Sequence, residues 1–394
     1  MTHNEASWAK LDAFSLTFSD DVTKLLMRLL PNRTTTHAKP PPTLDFTPEN
    51  HDRCLSLRGL MDNGKQVKND NYAADIASIR EARVRIAPYI HETPVLTSKS
   101  LDSIASKRLY FKCECFQKGG AFKIRGASNA IFSLSDDQAA KGVLTHNSGN
   151  HAAAVALAAK LRGIPAYVVI PKNAPKCKVE NVRRYGGQIF WSESTIQSRE
   201  SITEKVQQET GAILVHPFNN RFTISGQGTI SLELLEQVPE IDTIVVPISG
   251  GGLISGVTLA AKAINPSIQI LAAEPRGADD AAQSKAAGQI VILPETKTIA
   301  DGLRAFLGDL TWPVVRDLVD EIIVVDDAEI IKAMRMCYEI LKIAVEPSGA
   351  IGLAAVLSTS FAKVLLQKTA TKLVLFFLVE MLISVYFGNL FLND

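Results

Sequence analysis

Short apolar segments rich in β-branched residues alternate with helical patterns along most of the chain. Residues 73–91 have the spacing of an amphipathic helix, 109–115 have the pattern of a strand, and an alanine-rich helix is predicted over 152–162. Further strands are predicted at 166–170, 212–215, 243–247, 268–273 and 321–325. Because strands that alternate with helices form parallel sheets covered on both faces, the pattern predicts an α/β fold.

The two ends of the chain depart from this pattern. Residues 1–60 include the run Lys39-Pro40-Pro41-Pro42, which is typical of a linker because proline removes hydrogen-bond donors. We interpret 1–60 as an extension, either disordered or preceding a true start near Met61. Residues 373–394 form an atypical apolar tail, long enough to span a membrane, but Glu380 lies in its middle at a high cost in lipid. A buried or disordered end is therefore favoured over a membrane anchor.

Composition places the chain among globular proteins. Of its 394 residues 46% are hydrophobic and 21% are charged, and the net charge of +1 gives no sign of a nucleic-acid partner. The five cysteines are an odd number without zinc-ligand spacing. They argue against a disulfide framework and favour a reducing compartment, so the expected location is the cytoplasm.

A lysine that follows two glycines is the first candidate for chemistry. Residues 116–127 read Phe-Gln-Lys-Gly-Gly-Ala-Phe-Lys-Ile-Arg-Gly-Ala, which places Lys123 at the start of a helical stretch. A lysine in a closed apolar setting loses proton affinity and becomes a nucleophile able to form an imine. For a lysine taken alone, a surface position at a helix start is the better explanation.

Two further motifs offer backbone N–H groups at helix starts. The run Asn147-Ser148-Gly149-Asn150-His151 precedes the alanine-rich helix and suits a carboxylate or phosphate, although ordinary helix capping also favours these residues. In the run 246–253, Val-Pro-Ile-Ser-Gly-Gly-Gly-Leu, a strand leads through three glycines into a helix. It lacks the residues of a P-loop and the spacing of a dinucleotide site, so a single phosphate on a small cofactor fits better.

Taken together and in this order, the three motifs resemble those of the fold-type II pyridoxal-phosphate enzymes of the serine racemase and serine/threonine dehydratase group. The resemblance runs from about 72 to 375, and the motifs match those of plant-type serine racemases. Further matching segments are Gly226-Gln227-Gly228-Thr229, Ala273-Glu274-Pro275, Ile299-Ala300-Asp301-Gly302 and Glu346-Pro347-Ser348-Gly349.

This family implies a fold like that of the tryptophan synthase β subunit. Two open parallel-sheet domains would hold the cofactor in the cleft between them. The expected large domain comprises 61–141 and 220–372, and the expected small domain comprises 142–219.

The resemblance also assigns roles to individual residues. Lys123 would hold pyridoxal 5'-phosphate through an imine and take the Cα proton on one face, and Ser148 would return a proton from the other face. Further cofactor contacts would come from Phe122, Asn150, Ser249, Gly250, Gly251, Gly252, Leu253, Gly302 and Glu346. The substrate carboxylate would be held by Ser98, Ser148, Gly149, Asn150 and His151.

Ligands beyond the cofactor are implied in the same way. The family pattern makes Glu274, Ala278 and Asp280 ligands of Mg²⁺ or Ca²⁺, whereas the spacing alone indicates a solvated acidic loop. An ATP activator site is matched by Lys118, Lys178 and Tyr185. The resemblance also implies a homodimer.

The expected activity is the interconversion of L- and D-serine, with elimination of serine to pyruvate and ammonia, and threonine as a further candidate substrate. One alternative is a serine/threonine dehydratase without racemase activity, if Ser148 only binds carboxylate. A second alternative is an inactive splice form or pseudoenzyme. Relatives carry a serine that bonds the pyridine nitrogen where this chain has Phe376, which can neither donate nor accept that bond.

Overall fold

The structure, a computed structural model, describes residues 72–147, 149–365 and 372–377. The predicted extension 1–60, Ser148 and the tail from 378 onwards lie outside the described residues. In the described ranges the chain forms ten strands and fourteen α-helices. No helix in these ranges is long and apolar enough to cross a membrane.

The elements alternate as the sequence pattern predicts. The strands are β1 (Val95–Thr97), β2 (Arg108–Cys113), β3 (Val143–Thr145), β4 (Ala166–Pro171), β5 (Gln188–Ser192), β6 (Ile213–Leu214), β7 (Thr243–Pro247), β8 (Gln269–Pro275), β9 (Glu321–Val325) and β10 (Lys372–Phe377). The helices are α1 (Ile76–Ile86), α2 (Lys99–Ala105), α3 (Lys123–Phe132), α4 (Asp136–Ala140), α5 (Asn150–Arg162), α6 (Lys176–Arg184), α7 (Ile196–Thr210), α8 (Arg221–Gln237), α9 (Gly252–Ile264), α10 (Asp280–Ala287), α11 (Trp312–Leu318), α12 (Asp327–Met336), α13 (Pro347–Leu357) and α14 (Thr359–Leu365).

The larger of two sheets has six strands in the order β1-β2-β10-β7-β8-β9. Only the β1–β2 pair is antiparallel, and the other pairs are parallel. Strand β10 lies between β2 and β7, with Val374 opposite both Tyr110 and Ile244. Residues 373–377, which the sequence pattern assigns to the apolar tail, therefore form a central strand of this sheet.

The smaller sheet has four parallel strands in the order β5-β4-β3-β6. All of its strands lie between Val143 and Leu214. Its central strand β3 is fully buried, and the alanines of α5, among them Ala152 and Ala156, pack in the same apolar cluster as Val143. The two sheets, parallel except for the β1–β2 pair, confirm the α/β fold class predicted from the sequence.

Both faces of the large sheet are covered by helices. All five residues of β7 are buried. Ile244 and Val246 share one apolar cluster with Leu234 of α8, while Val245 between them belongs to a second cluster with Leu353 of α13. Successive side chains of a strand point to opposite faces, so β7 contributes to two cores at once.

Element ends differ from the predicted bounds where local chemistry intervenes. The helix predicted over 73–91 begins at Ile76, because Asp75 and Ser78 form a capping box, and it tightens into a 3-10 turn at Ala87–Tyr89. The strand predicted over 109–115 ends at Cys113, since Glu114–Phe116 form a 3-10 turn. By contrast, the strands predicted at 243–247 and 321–325 have those bounds in the structure.

Candidate active site

Lys123 is the first residue of α3, directly after the turn that contains Gly119 and Gly120. Its amine donates a 3.0 Å hydrogen bond to the backbone oxygen of Pro217 and lies 5.0 Å from the centre of the Phe122 ring. Although the side chain is only partly buried by area, protein atoms crowd the amine, and this desolvation lowers the pKa of Lys123 to about 8. The lysine therefore combines access with a raised fraction of neutral, nucleophilic amine.

The segment 215–219, between β6 and α8, contacts this lysine. Pro217 accepts the hydrogen bond from the Lys123 amine, and the oxygen of Val215 lies 2.9 Å from His151 Nε2. The Nδ1 atom of His216 accepts the backbone N–H of Asn219 at 2.8 Å. This segment therefore joins the lysine to the start of the helix that follows the second motif.

Two imidazoles beside the lysine are held neutral. Burial, followed by the charges of His146 and Lys123, lowers the pKa of His216 to about 4. Burial and the charge of Lys123 hold the pKa of His151 well below its usual range. Neither histidine adds positive charge beside the amine at neutral pH.

The glycine run after β7 is shaped by an aromatic ring from the same segment. A Cβ atom on Gly250 would lie 2.4 Å from the Phe218 ring, and one on Gly252 would lie 2.7 Å from Phe218 Cβ. Gly251 has φ +85°, in the left-handed region that favours glycine. No side chain caps the first turn of α9. Its backbone N–H groups, with Leu253 among them, are therefore suited to an anion.

The Ser249 hydroxyl is already engaged. It accepts the backbone N–H of Ala305 at 3.0 Å and donates to the backbone oxygen of the same residue at 3.1 Å. This pairing fixes the loop around 305 against the glycine run. Any contact of Ser249 with a bound anion would therefore come from its backbone.

The second motif forms a turn that leads into α5. The side-chain oxygen of Asn147 accepts the backbone N–H of Gly149 at 2.7 Å, and α5 begins at Asn150. The imidazole of His151 is buried, so only the backbone of this residue remains available to a ligand at the helix start. Ser148, between them, lies outside the described residues.

Asn150 faces the second group of predicted pocket residues. Its Nδ2 atom lies 3.5 Å from Oε2 of the buried Glu346, the residue directly before α13. The backbone N–H of Gly302 donates to Ser348 Oγ at 3.1 Å, which ties the turn at 301–303 to the same helix. The structure thus brings Asn150, Glu346 and Gly302 to one region.

The remaining predicted ligands have local contacts. Ser98 caps α2 and accepts the backbone N–H of Leu101 at 3.4 Å. The backbone N–H of Lys118 donates to Gln117 Oε1 at 2.9 Å, and Tyr185 ends α6 against the small-sheet core. Lys178 forms an ion pair with Asp301, the neighbour of Gly302.

Two buried carboxylates lie at the end of β8 and at the start of α10. Glu274 accepts the backbone N–H groups of Ala281 and Ala282 at 2.8 and 2.9 Å, and Asp280 Oδ2 is buried without a hydrogen-bond partner. Burial raises the pKa of Glu274 to about 8 and that of Asp280 to about 7. No three His, Cys, Asp or Glu side chains within the described ranges are grouped to hold a metal ion. A cation here would therefore need a backbone oxygen such as that of the buried Ala278.

Sequence reasoning missed the groups that come from distant parts of the chain. Pro217 and Phe218, which contact the lysine and the glycine run, carry no motif that marks them in advance. Asp301 was part of a matched segment, but its ion pair with Lys178 spans more than a hundred residues. Such contacts become visible only in the folded molecule.

Known proteins are similar to this chain in sequence and in fold. A family model described as pyridoxal-phosphate dependent enzyme matches residues 86–376. Serine racemase of Oryza sativa subsp. indica is 77% identical over 298 residues, which are 76% of this chain and 88% of that protein. The structure of maize serine racemase superposes with a TM-score of 0.79 at 70% identity, covering 81% of this chain and 96% of that one. A β-hydroxyaspartate dehydratase of Paracoccus denitrificans is 51% identical over 276 residues, 70% of this chain and 88% of that protein.

Proposed function

The chain belongs to the family of pyridoxal-phosphate dependent enzymes, in the group of the serine racemases, and from this premise we propose that it interconverts L- and D-serine. Elimination of serine to pyruvate and ammonia is proposed as its second reaction, with threonine as a further substrate. The observation that carries the proposal is Lys123, whose amine has a pKa of about 8 and donates to Pro217. The next residue, Phe218, packs against the glycine run at the uncapped start of α9. The similarity to the rice and maize proteins supports the choice of serine.

The residues present fit pyridoxal 5'-phosphate. The first turn of α9 offers backbone N–H groups without a competing side-chain cap, which suits the phosphate at Ser249, Gly250, Gly251, Gly252 and Leu253. The ring would lie among Phe122, Asn150, Gly302 and Glu346. Attachment of the cofactor requires one amine nucleophile, which Lys123 would supply. When bound, the cofactor withdraws electrons from the substrate and so acidifies its Cα–H bond.

The reaction asks for proton transfer on two faces of the substrate. Lys123, with a lowered pKa, is suited to take the Cα proton and to give it back on its own face. We assign the opposite face to Ser148, which lies outside the described residues. Backbone groups of Gly149, Asn150 and His151, with Ser98, would hold the substrate carboxylate.

The two sheets support a division into domains with the site between them. All strands of the small sheet lie within the proposed small domain 142–219, and the large-sheet strands before β10 lie within 61–141 or 220–372. The Asn150–Glu346 and Lys178–Asp301 contacts each join a helix beside the small sheet to the large-sheet side. Closure of this cleft would exclude water from the site.

A divalent cation and ATP are proposed as further ligands. The unpartnered oxygen of Asp280 beside Glu274 supports a Mg²⁺ or Ca²⁺ site that is completed by the Ala278 carbonyl. Lys118, Lys178 and Tyr185 would contact ATP as an activator, although Lys178 is paired with Asp301. We also propose a homodimer located in the cytoplasm, the latter from cysteine usage.

Two assays test the proposed function. Purified protein supplied with pyridoxal phosphate and L-serine is expected to form D-serine, measured by chiral chromatography, and pyruvate, measured separately. Lys123→Ala is expected to abolish both products. Pyruvate without D-serine would favour the dehydratase alternative.

The remaining alternative, an inactive form, is tested at the chain end. Phe376 lies in β10, opposite Lys112 of β2. Replacing residues 376–379 by Ser-Gly-Gly-Asn restores the family's partner for the ring nitrogen. Activity that appears only in this variant would show that the chain as given is inactive.

A further inference from the structure

Four charged side chains are buried together beneath the lysine helix. Lys112, Glu114 and Arg125 have no exposed surface, and Glu233 of α8 is 5% exposed. We call these four residues the charge quartet. Two cations and two carboxylates give it no net charge.

Arg125 is the centre of the charge quartet. Its Nε and Nη2 atoms each donate to Glu114 at 2.8 Å, and its Nη1 and Nη2 atoms donate to Glu233 at 2.5 and 2.8 Å. Lys112 Nζ donates to the same Glu233 at 2.9 Å. One guanidinium from α3 is thus held in a fork by the turn after β2 and by α8.

Stability alone does not account for such a cluster. Well-packed apolar residues in place of a buried ion pair often give equal or greater stability, because desolvating the charges is expensive. Arg125 lies two residues after Lys123, so at 100° per residue the two side chains leave α3 about 200° apart, on nearly opposite sides. The first turn of α3 has no side-chain cap and no acidic residue. The charge quartet therefore opposes rotation or sliding of this turn, in addition to the close packing of Gly126 against Gln227 of α8.

We propose that Arg125 is a positioning residue for the reaction: its fork to Glu114 and Glu233 fixes the rotation of α3 and thereby places the Lys123 amine at the Pro217 oxygen. The inference rests on the proposed function, since it assigns this geometry to the reacting lysine. It predicts that loss of the fork lowers reactivity at Lys123 even when the protein remains folded. Substrate affinity is set by other elements and is expected to change little.

The test compares two arginines that hold opposite ends of the same helix. Arg125→Lys keeps the charge but loses the fork. Arg162→Lys is the matched control, since Arg162 donates to the backbone oxygens of Ile131 and Leu134 at the far end of α3. For each full-length variant we would measure stability in urea, the rate of borohydride-trapped attachment of pyridoxal phosphate to Lys123, and kcat and KM for serine.

In Arg125→Lys the attachment rate and kcat are expected to fall about tenfold or more, with KM within about twofold of the unaltered protein. Arg162→Lys is expected to retain both rates, with a smaller loss of stability because the Arg162 side chain is partly exposed. Equal losses of attachment rate and kcat in the two variants would overturn the proposal. Absence of any trapped adduct in the unaltered protein would instead overturn the proposed function.

A second pair of variants tests the positioning role if Arg125→Lys does not fold. Glu233→Gln removes one carboxylate of the charge quartet, and Glu236→Gln, on the same helix, removes the exposed partner of Arg83. Slower attachment in Glu233→Gln alone supports the proposal. Equal attachment rates in both variants contradict it.

Discussion

The amine of Lys123 lies 3.0 Å from the backbone oxygen of Pro217, a residue on the segment that leads from β6 of the small sheet to α8. The same segment supplies Phe218, whose ring contacts the glycine run at the start of α9. One short stretch of chain therefore sets the distance between the nucleophile and the proposed phosphate site.

The lowered pKa of Lys123 predicts an unusual pH profile for cofactor capture. An ordinary lysine has a pKa near 10.5, whereas burial lowers the pKa of Lys123 to about 8. The neutral amine is the reactive form, so the rate of borohydride-trapped attachment of pyridoxal phosphate should rise up to about pH 8 and then level off.

The lowered pKa of Lys123 also makes the free energy of unfolding depend on pH. Between about pH 8 and 10.5 the unfolded chain binds more protons at Lys123 than the folded chain, so the contribution of Lys123 to the free energy of unfolding increases with pH in that window.

For the pH profile of cofactor attachment, a rate that still rises tenfold per pH unit between pH 9 and 10 would contradict the lowered pKa of Lys123.

The contact between the glycine run and Phe218 predicts a loss of affinity in Gly250→Ala. The added Cβ would lie 2.4 Å from the ring, so either the ring or the loop must move. We expect affinity for pyridoxal phosphate to fall about tenfold, as is typical of overpacking by 1–3 kcal/mol. Equilibrium dialysis measures it.

Two variants complete this test. Gly288→Ala, where a Cβ meets no atom within 4 Å but φ is +70°, is the control for a glycine replacement that strains the backbone outside the glycine run. Phe218→Leu combined with Gly250→Ala should recover part of the affinity, because the smaller side chain relieves the clash. No loss in Gly250→Ala would show that the loop does not hold the phosphate.

The proposed cation site predicts stabilisation by Ca²⁺. A cation at one hundred times its Kd raises the free energy of unfolding by about 2.7 kcal/mol. Thermal unfolding at pH 8 with Ca²⁺ or with a chelator measures the shift. Glu274→Gln should abolish it, while Asp279→Asn, next to the proposed ligand Asp280, should retain it. An equal Ca²⁺ response in both variants would place the cation elsewhere.

Ser148→Ala is expected to separate the two reactions. Racemisation needs a proton donor on each face, and a single general acid or base contributes about 10² to 10⁴ in rate. D-serine formation should therefore fall by about 10² or more, while pyruvate formation continues. Ser148→Thr, which keeps a hydroxyl, is the control. Parallel losses of both products would assign Ser148 to carboxylate binding instead.

Much of the fold could be predicted from the sequence because it follows from the local preferences of neighbouring residues. The strand 243–247, the three glycines after it and the helix that follows all appear in the structure, since β-branched runs and glycine have strong local preferences. The start of α3 at Lys123 and the alanine-rich α5 were found in the same way. These elements carry most of the residues that the family resemblance assigns.

What could not be predicted depends on contacts between distant segments. No local pattern shows that Phe218 limits the space at Gly250, or that Arg125 meets Glu233 more than a hundred residues away. Strand β10 was obscured for a different reason. Its residues 373–377 open a long apolar run, so no local pattern separates the strand from the residues that follow it.

The role of Lys123 is tested most directly by reducing the protein with borohydride in the presence of pyridoxal phosphate and mapping the modified peptide by mass spectrometry. We expect one reduced adduct, on Lys123, and no adduct at that peptide in Lys123→Ala. An adduct on another lysine, or none in a folded and otherwise intact protein, would contradict this role.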